Sequence, residues 1–486
     1  MDTQKTLCLT FQSLSEHYEL SRSTFNYASH SMIRMDIVLL VLDTARGDIT
    51  NSLINDGELP NLATLAKGGQ YYTNARANGP WTVPSHGTIF TGEYPSENGI
   101  HGNDPTYEQV PLVAELRDRG YETGGFSANP WLGSDFDFDQ EFDYFCNEYD
   151  YYINGASMAD VVRSSKDLKT RIKRFVSEAD RKSIPKSIGN ASFYIYQRAR
   201  RQDSGGKYLL SRTGRWLSNR SNRPKFAFIN ITEPHLSYEI PNKWLPNNIS
   251  QDEIEDVIQD PADYNAGLQE LSEADCEILT ETYTATLRYI DDCIEYILDR
   301  ARENTTFIII GDHGEHFGEY NRFGHQYSLH KELLHVPLII NGPTVENQVI
   351  RKPVELKELY DVILSFSQKK PMTLSPTENH FAEIISPRPS FDQLTARPSS
   401  NPRSYVHRYS QGARCIIKRK YKLIEFPNGE KRLFENGSLQ EDPPQNIVDS
   451  LSETIGDKAG EIEAESNSEL DLSDSVTSRL DDLGYV

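Results

Sequence analysis

Three short stretches of the chain are almost wholly apolar and rich in β-branched residues, a pattern typical of strands buried on both faces of a sheet. They are DIVLLVLD at 36–43, KFAFINITEPH at 225–235 and TTFIIIGDHGE at 305–315. In each stretch the apolar run stops abruptly at polar residues. The pattern therefore predicts three buried strands whose carboxyl ends carry carboxylate and imidazole groups.

Segments with helical spacing of apolar residues separate these strands. Glycines end the first two helices, as expected for a helix C-terminus. The predicted helices are PNLATLAKGG at 60–69, VPLVAELRDRG at 110–120 and 282–301, and a further strand, YETGGFSAN, is predicted at 121–129. This alternation implies right-handed crossovers. We therefore predict an α/β fold with a mostly parallel central sheet sandwiched by helices.

The pattern changes along the chain and divides it into parts. A long mixed segment with basic faces interrupts the alternation and predicts a helical insertion. Beyond about residue 345, proline- and serine-rich loops precede short alternating strands joined by an Asn-Gly turn, which predict a small antiparallel subdomain. The predicted parts are an extension at 1–34, a catalytic domain at 35–345 with an insertion near 150–222, a C-terminal α+β subdomain at 346–440 and an acidic tail at 441–486.

Two of these parts carry further expectations. Residues 1–34 lack the features of a secretory signal, and we expect them to be a disordered extension or a misassigned start. The segment at about 440–475 is strongly acidic and poor in aromatic residues. Such a composition buries little apolar surface. We therefore expect this acidic segment to be loosely packed or disordered.

Composition narrows the classes of function. The net charge of −22 disfavours a nucleic-acid partner, whose affinity would depend on neutralising phosphates. Apolar runs stay well short of the roughly 20 residues that span a bilayer, so a soluble, cytoplasmic protein without a transmembrane segment is expected. The five cysteines lie too far apart to suggest a zinc site or a disulfide framework.

Asp43 ends the first strand, and the pair Asp312 and His313 ends the third. Because parallel strands present their carboxyl ends at one edge of the sheet, these groups are expected to converge. Clustering them is costly unless a cation lies between them, so the pattern predicts a divalent metal site. A mixture of carboxylate and imidazole favours manganese or zinc, with calcium or magnesium as alternatives.

Thr82 stands at a third strand-to-helix junction, in ANGPWTVPSHGTIFTG at 77–92. One interpretation makes Thr82 the N-cap of the helix that follows. The other makes it a nucleophile, because the positive end of a helix dipole and a bound metal would both lower the pKa of its hydroxyl. Since both roles use the same position, the sequence leaves them open.

Several motifs together resemble the sulfatase family of the alkaline phosphatase superfamily. They occur in the family's order over essentially all of 35–345 and resume near the end of the chain. These motifs are VLDTARGD, PNLATLAKGGQYYTNARA, WTVPSHGTIFTGEYP, GGFSANPWL, NITEPHLSY, LRYIDD, GDHGEHFGEYNRFGHQYSLHKELLHVPLII, RKYKLIEF and RLDDLGYV. The resemblance implies an alkaline phosphatase-like sandwich with a smaller C-terminal sheet, and metal-assisted cleavage of sulfate or phosphate esters.

The resemblance also implies roles for individual residues. Asp43, Asp312 and His313 match the family's metal ligands, and Thr82 falls where the family places its nucleophile, which also contacts the metal. His235, in EPHLSY, matches a histidine that contacts the substrate anion or the leaving group.

Four further residues receive weaker assignments. His325 falls near the family's lysine or histidine that binds the anion or protonates the leaving oxygen. Ser85 and His86 are expected to orient the nucleophile loop, and Asn129 is expected to line the substrate pocket.

The sequence departs from the usual sulfatase pattern at the nucleophile. The family has Cys or Ser, oxidised to formylglycine, followed two residues later by proline, then by serine and arginine. Here Thr82 cannot form that aldehyde, and His86 stands in the place of the arginine. Thr44 replaces a second acid. A threonine with Asp, Asp and His resembles instead the superfamily's phosphotransferases and phosphodiesterases, in which threonine is phosphorylated directly.

Three functions therefore stay open. The first is a hydrolase of sulfate or phosphate esters. The second is a transferase or phosphodiesterase that moves a phospho-substituent on a glycan or lipid. The third is an inactive anion-binding protein on the same fold. The expected substrate is a small-molecule, glycan or lipid-headgroup ester.

Overall fold

A computed structural model describes most of the chain. The described residues are 35–147, 168–181, 184–189, 191–192, 203–257, 259–370 and 372–459, together with 470, 472, 476, 477, 480 and 485. The predicted extension at 1–34 and much of the predicted insertion lie outside the described residues.

The core of the molecule is a sheet of nine described strands in the order β10-β2-β9-β6-β1-β5-β3-β4, with β11 also paired to β2. Strands β4, β3, β5, β1 and β6 run parallel, whereas β9 is antiparallel to both β6 and β2. The bounds are β1 Asp36–Leu42, β2 Gln70–Arg76, β3 Glu122–Ser127, β4 Tyr144–Asn147, β5 Lys225–Ile231, β6 Thr305–Gly311, β9 His335–Asn341, β10 Gln348–Ile350 and β11 Val354–Glu355. A small hairpin is formed by β7 His316–Phe317 and β8 Phe323–Gly324.

Helices cover both faces of this sheet. Their bounds are α1 Gly47–Asn55, α2 Pro60–Gly68, α3 Thr82–Thr91, α4 Pro95–Asn98, α5 Pro111–Asp118, α6 Leu168–Arg181, α7 Gly206–Ser218, α8 Gln251–Asp256, α9 Pro261–Asn265, α10 Glu273–Leu298, α11 Lys331–Leu334 and α12 Leu359–Ser367. Short 3-10 turns lie at Ser134–Phe136, Asn242–Trp244, Glu319–Asn321 and Leu356–Glu358.

The central strand β1 explains why the apolar runs are continuous. Ile37, Leu39 and Val41 pack in a core that includes residues of α3, α5 and α12. Val38 and Leu40 pack in a second core with residues of α7 and α10. Because alternate side chains of a strand point to opposite faces, a strand covered on both sides has no polar face. The predicted α/β sandwich is confirmed, and helix α7 of the predicted insertion takes part in it.

A second, antiparallel sheet lies in the C-terminal part of the chain, as predicted. Its order is β12-β13-β14-β15-β16. The turn between β14 and β15 contains Asn428 and Gly429, and Gly429 has a φ of +84°, a conformation that glycine adopts without strain. The bounds are β12 His380–Ile384, β13 Ala413–Lys418, β14 Tyr421–Glu425, β15 Lys431–Glu435 and β16 Ser438–Leu439, with helices α13 Phe391–Ala396, α14 Ser404–Tyr409 and α15 Gln445–Lys458.

The acidic segment after residue 440 differs in part from the expectation of loose packing. Helix α15 lies there and buries Val448, Leu451 and Ile455 in a core shared with β13, β14 and β15. These residues are spaced three and four apart, so they form one apolar face despite the acidic composition. The expectation was based on the average composition of the segment, which does not show the spacing of its apolar residues. Among the described residues, no helix is long and apolar enough to cross a membrane.

Candidate active site

The candidate site lies at the carboxyl edge of the parallel strands. Asp43 follows β1, and Asp312 and His313 follow β6, which is the direct neighbour of β1, with Leu42 paired to Gly311. Asn129 follows β3, and Thr82 begins α3. The parallel topology therefore brings together groups that are far apart in sequence, as predicted from the strand ends.

Asp43, Asp312 and His313 form a buried group whose ligand atoms all lie within 4.8 Å of one another. His313 Nε2 lies 3.6 Å from Asp43 Oδ1 and 3.4 Å from Asp312 Oδ2. Neither of these two carboxylate oxygens accepts a hydrogen bond from the described residues. Three electron-pair donors thus face one another, an arrangement that fits a divalent cation.

The other polar atoms of this group already have partners. Asp312 Oδ1 accepts from the backbone N–H groups of Thr44 and His313, at 3.2 and 2.9 Å. Asp43 Oδ2 accepts from the side-chain amides of Asn129 and Asn230, at 2.8 and 3.2 Å. His313 Nδ1 lies 3.0 Å from the Gly314 carbonyl, to which it donates. This bond leaves Nε2 with its lone pair directed toward the carboxylates.

The electrostatics of the group also favour a cation. Burial, followed by the neighbouring Asp43, raises the pKa of Asp312 well above its ordinary value. Burial opposes ionisation of Asp43 too, but His235, His313 and the Asn129 amide together lower its pKa. Burial is also the main reason that the pKa of His313 is well below its usual range. The imidazole of His313 is therefore neutral, and Asp312 resists ionisation beside Asp43 unless a positive charge lies between them.

Thr82 lies directly beside this group. Its Oγ1 is 3.5 Å from His313 Nε2, accepts a hydrogen bond from Asn129 Nδ2 at 3.2 Å and lies 3.3 Å from the Tyr485 hydroxyl. Of the two roles that the sequence left open for Thr82, the N-cap belongs instead to Trp81, which makes no side-chain cap hydrogen bond to the described residues. The threonine hydroxyl instead faces the group of Asp43, Asp312 and His313.

Ser85 and His86 hold the start of helix α3 in place. Ser85 Oγ donates to the backbone carbonyl of Asp312 at 2.7 Å, which ties the helix to the end of β6. His86 Nδ1 lies 3.0 Å from the Thr82 carbonyl, and burial lowers the pKa of this histidine to about 4. A neutral His86 therefore donates its Nδ1 proton to the backbone of Thr82.

His235 and His325 lie beside this group, with ring centroids 5.0 Å apart, and the ring of His325 lies 4.6 Å from that of His313. His325 Nδ1 is 3.1 and 3.2 Å from the two carboxyl oxygens of Glu315. Burial raises the pKa of Glu315 to about 8, and burial followed by His235 holds the pKa of His325 well below its usual range. Glu315 and His325 thus form a neutral hydrogen-bonded pair.

Two residues of this site were missed in the sequence analysis. Glu315 lies in the quoted GDHGE motif, so its spacing from Asp312 was a usable signal. Tyr485 lies in the closing RLDDLGYV motif, yet its hydroxyl is 2.9 Å from His325 Nε2 and 3.4 Å from His235 Nε2. The local sequence gives no sign that the tail reaches the site. Asn129, expected to line a pocket, bonds both Asp43 and Thr82.

With this geometry established, comparisons with known proteins identify the family. The sequence pattern that defines the family described as Sulfatase matches residues 35–368. The chain belongs to the sulfatase family. This sulfatase family member is therefore classed with the ester hydrolases, as the motifs predicted.

Individual relatives of this sulfatase family member are distant. YidJ, an uncharacterized sulfatase of Escherichia coli (strain K12), is 21% identical over an alignment of 352 residues, and the match covers 68% of this chain and 66% of that protein. The phosphonate monoester hydrolase of Silicibacter pomeroyi has a similar structure, with a TM-score of 0.59, 15% identity and coverage of 87% of this chain and 94% of the other.

A third relative has been solved with its substrate, D-glucosamine-2-N,6-O-disulfate, and has a TM-score of 0.57 and 14% identity, covering 87% of this chain and 97% of its own. At these identities the structural similarity concerns the fold alone. The match to YidJ, in turn, extends over slightly less than two thirds of that protein's length.

Proposed function

We propose that this protein is a divalent-metal-dependent hydrolase that cleaves phosphate or sulfate esters through nucleophilic attack by Thr82. The observation that carries the proposal is the position of Thr82 Oγ1, 3.5 Å from His313 Nε2. The same nitrogen faces two buried carboxylate oxygens that accept no hydrogen bond from any described residue. Phosphate esters are the favoured class, because a threonine can be phosphorylated directly but cannot form the sulfatase aldehyde.

Asp43, Asp312 and His313 would hold the metal, and Thr82 Oγ1 would complete its protein ligands. When bound, the ion lowers the pKa of the Thr82 hydroxyl and offsets negative charge on the reacting ester. Carboxylate and imidazole ligands favour manganese or zinc. The hydrogen bonds to the remaining carboxylate oxygens fix the orientation of the two acids toward the ion.

Asn129 orients the nucleophile. Its single amide nitrogen bonds Asp43 Oδ2 at 2.8 Å and Thr82 Oγ1 at 3.2 Å, so it couples the position of the hydroxyl to that of a metal ligand. A donor directed at Thr82 Oγ1 also stabilises the alkoxide relative to the alcohol. His86 supports the same helix turn through the Thr82 carbonyl.

Glu315 and His325 supply the proton for the leaving group. A protonated Glu315 donates to His325 Nδ1, which places the imidazole proton on Nε2. This atom and Thr82 Oγ1 both contact the Tyr485 hydroxyl, at 2.9 and 3.3 Å. His325 Nε2–H then protonates the leaving oxygen and afterwards accepts a proton from the water that releases the covalent intermediate. His235, 5.0 Å away between ring centroids, is placed to bind an oxygen of the ester.

The substrate class is proposed from the neighbours as well as from the site. The relative solved with a disulfated glucosamine acts on an ester of a sugar, so sugar phosphates or sulfates are suitable first substrates. We assign substrate selection to the insertion near 150–222 and to the subdomain at 346–440, and chemistry to the domain at 35–345.

The proposal is tested with a panel of esters and with metal removal. Hydrolysis of para-nitrophenyl phosphate, bis(para-nitrophenyl) phosphate, para-nitrophenyl sulfate and a sulfated glucosamine is measured, with glycerol added to detect transfer. After chelation we expect a loss of about 100-fold or more, restored by manganese or zinc. Full activity in excess chelator would contradict a metal mechanism, and glycerol esters as the main product would favour the transferase.

The state of Glu315 predicts the alkaline limb of the pH profile. Because burial raises its pKa to about 8, Glu315 loses its proton as the pH rises through that value and becomes an acceptor, which moves the imidazole proton from Nε2 to Nδ1. We expect kcat/KM to fall above about pH 8. In Glu315→Gln the amide still donates to Nδ1 but does not titrate, so this fall should disappear. An unchanged alkaline limb in the glutamine variant would exclude this role of Glu315.

A further inference from the structure

Tyr485 connects the tail of the chain to the candidate active site. Its side chain is 1% exposed, and it packs in the same core as Val476 and Leu480 of the tail. The hydroxyl lies 3.3 Å from Thr82 Oγ1 and 2.9 Å from His325 Nε2. A residue about 400 positions from the nucleophile therefore occupies the centre of the site.

The ring of Tyr485 lies in an aromatic slot. The rings of Trp81 and Trp131 each lie 5.6 Å from it between centroids, and the ring of His325 lies at the same distance. Both tryptophans are buried. Aromatic contacts of this kind stabilise a ring beyond the contribution of its buried area. The slot thus holds the phenol by its ring as well as by its hydroxyl.

The Tyr485 hydroxyl occupies the space that the reacting groups share. A reacting phosphorus or sulfur must approach the attacking oxygen to about 3–3.5 Å before reaction. The Tyr485 oxygen lies 3.3 Å from Thr82 Oγ1, 2.9 Å from His325 Nε2 and 3.4 Å from His235 Nε2, so it contacts the nucleophile and both histidines at once. Thr82, His313 and His325 are each fully buried in this arrangement. An ester therefore reaches Thr82 only after this arrangement has opened.

We propose that the tail is an intramolecular ligand of the active site, in which the Tyr485 phenol occupies the position of the substrate's ester group and must be displaced before catalysis. This inference rests on the proposed function for the identity of the competing ligand. The Tyr485 hydroxyl contacts the proposed nucleophile and both histidines, which are the groups that the ester itself would contact.

The proposal has a quantitative consequence for ligand binding. We call the Tyr485 side chain in this position the plug, and a molecule from which it has been displaced is open. The apparent dissociation constant of a ligand equals its intrinsic value divided by the fraction of molecules that are open. If about a tenth of the molecules are open, then removing the plug tightens ligand binding by about tenfold. Removing the whole side chain should open the site fully, and removing the hydroxyl alone should weaken the plug while the aromatic slot still holds the ring.

The test measures inorganic phosphate binding by calorimetry to the metal-loaded full-length protein. We expect Tyr485→Ala to bind phosphate about tenfold more tightly than the wild type, and Tyr485→Phe to bind it about threefold more tightly. Unchanged or weaker phosphate binding in both variants would overturn the proposal. If the alanine variant does not fold, the phenylalanine variant decides alone by the same criterion.

A second measurement uses phenol itself. Tyr485→Ala creates a cavity lined by Trp81 and Trp131, and such engineered cavities bind small aromatic molecules. Phenol should bind this variant and compete with phosphate, whereas the wild type should bind phenol at least about tenfold more weakly. Phenol binding without competition would contradict the overlap of the two sites.

These readouts separate the two proposals. Neither measurement requires turnover, so tighter phosphate binding in a protein that cleaves no ester would support the plug and refute the proposed hydrolase. Ester cleavage that is lowered in kcat by both variants, with phosphate binding unchanged, would instead make Tyr485 a catalytic residue and overturn the plug.

Discussion

Replacing Thr82 with alanine is expected to lower kcat by about 10³-fold or more while leaving the fold intact. The hydroxyl of Thr82 is the atom proposed to attack the ester, and its loss removes the covalent route altogether. The side chain is fully buried but small, and the helix α3 that it begins is also held by the Ser85 bond to Asp312. The measurement is kcat on the most reactive ester of the panel, with circular dichroism to verify folding.

Thr82→Ser is the matched control for this prediction. Serine keeps a hydroxyl at the same position and is expected to retain activity within about 100-fold of the wild type. Mass spectrometry of protein quenched during turnover should find one phosphoryl group on Thr82 in the wild type and none on the alanine variant. An alanine variant that retains its rate would show that another group attacks the ester.

Replacing Asp312 with asparagine is expected to have opposite effects on activity and on the stability of the metal-free protein. Burial and the nearby Asp43 raise the pKa of Asp312, so its ionised form is costly at neutral pH unless a cation is bound. A carboxyl whose pKa is raised in the folded state stabilises the fold at low pH and loses this contribution as the pH rises.

Asp312→Asn should therefore change both the thermal stability and the activity of the protein. The metal-free variant should melt at a temperature a few degrees higher than the metal-free wild type near neutral pH, with the difference shrinking toward acidic pH. The increase in melting temperature that manganese or zinc gives the wild type should be lost, and activity should fall by about 10³-fold. Calorimetric scans with and without metal provide both comparisons.

Asp291→Asn is a suitable control for this experiment. Asp291 is also buried with a raised pKa, but it accepts hydrogen bonds from the backbone of Asn61 and Leu62, far from the metal group in sequence. Its replacement should leave the stabilisation by metal unchanged. A metal-dependent shift that survives in Asp312→Asn would remove Asp312 from the set of ligands.

The candidate site was predicted from sequence where local pattern and topology coincide. An apolar run that ends at Asp43 and another that ends at Asp312 and His313 place these groups at strand ends. Parallel pairing then brings strand ends together, because every strand of a parallel set presents the same end at one edge. That Asp43 and His313 meet at one edge of the sheet thus follows from the pattern.

The structure determined how the side chains at that edge of the sheet are oriented and what they contact. The sequence left Thr82 as either a cap or a nucleophile, and the direction of its hydroxyl toward Asn129 and His313 rules out the cap. Residue spacing indicates which face of a helix or strand a side chain lies on. It does not define the first residue of a helix to within one position, and it does not define a side-chain rotamer.

The sequence by itself determined the layered α/β fold, the C-terminal sheet and the convergence of Asp43, Asp312 and His313, because each follows from periodicity and from the geometry of parallel strands. Only the tertiary structure decided that Glu315 pairs with His325 and that Tyr485 stands between Thr82 and the two histidines. The sequence of the tail carries no periodic pattern that indicates which residues Tyr485 contacts. Its position depends on the shape and polarity of a slot between Trp81 and Trp131, which exists only once the sheet and helix α3 have assembled.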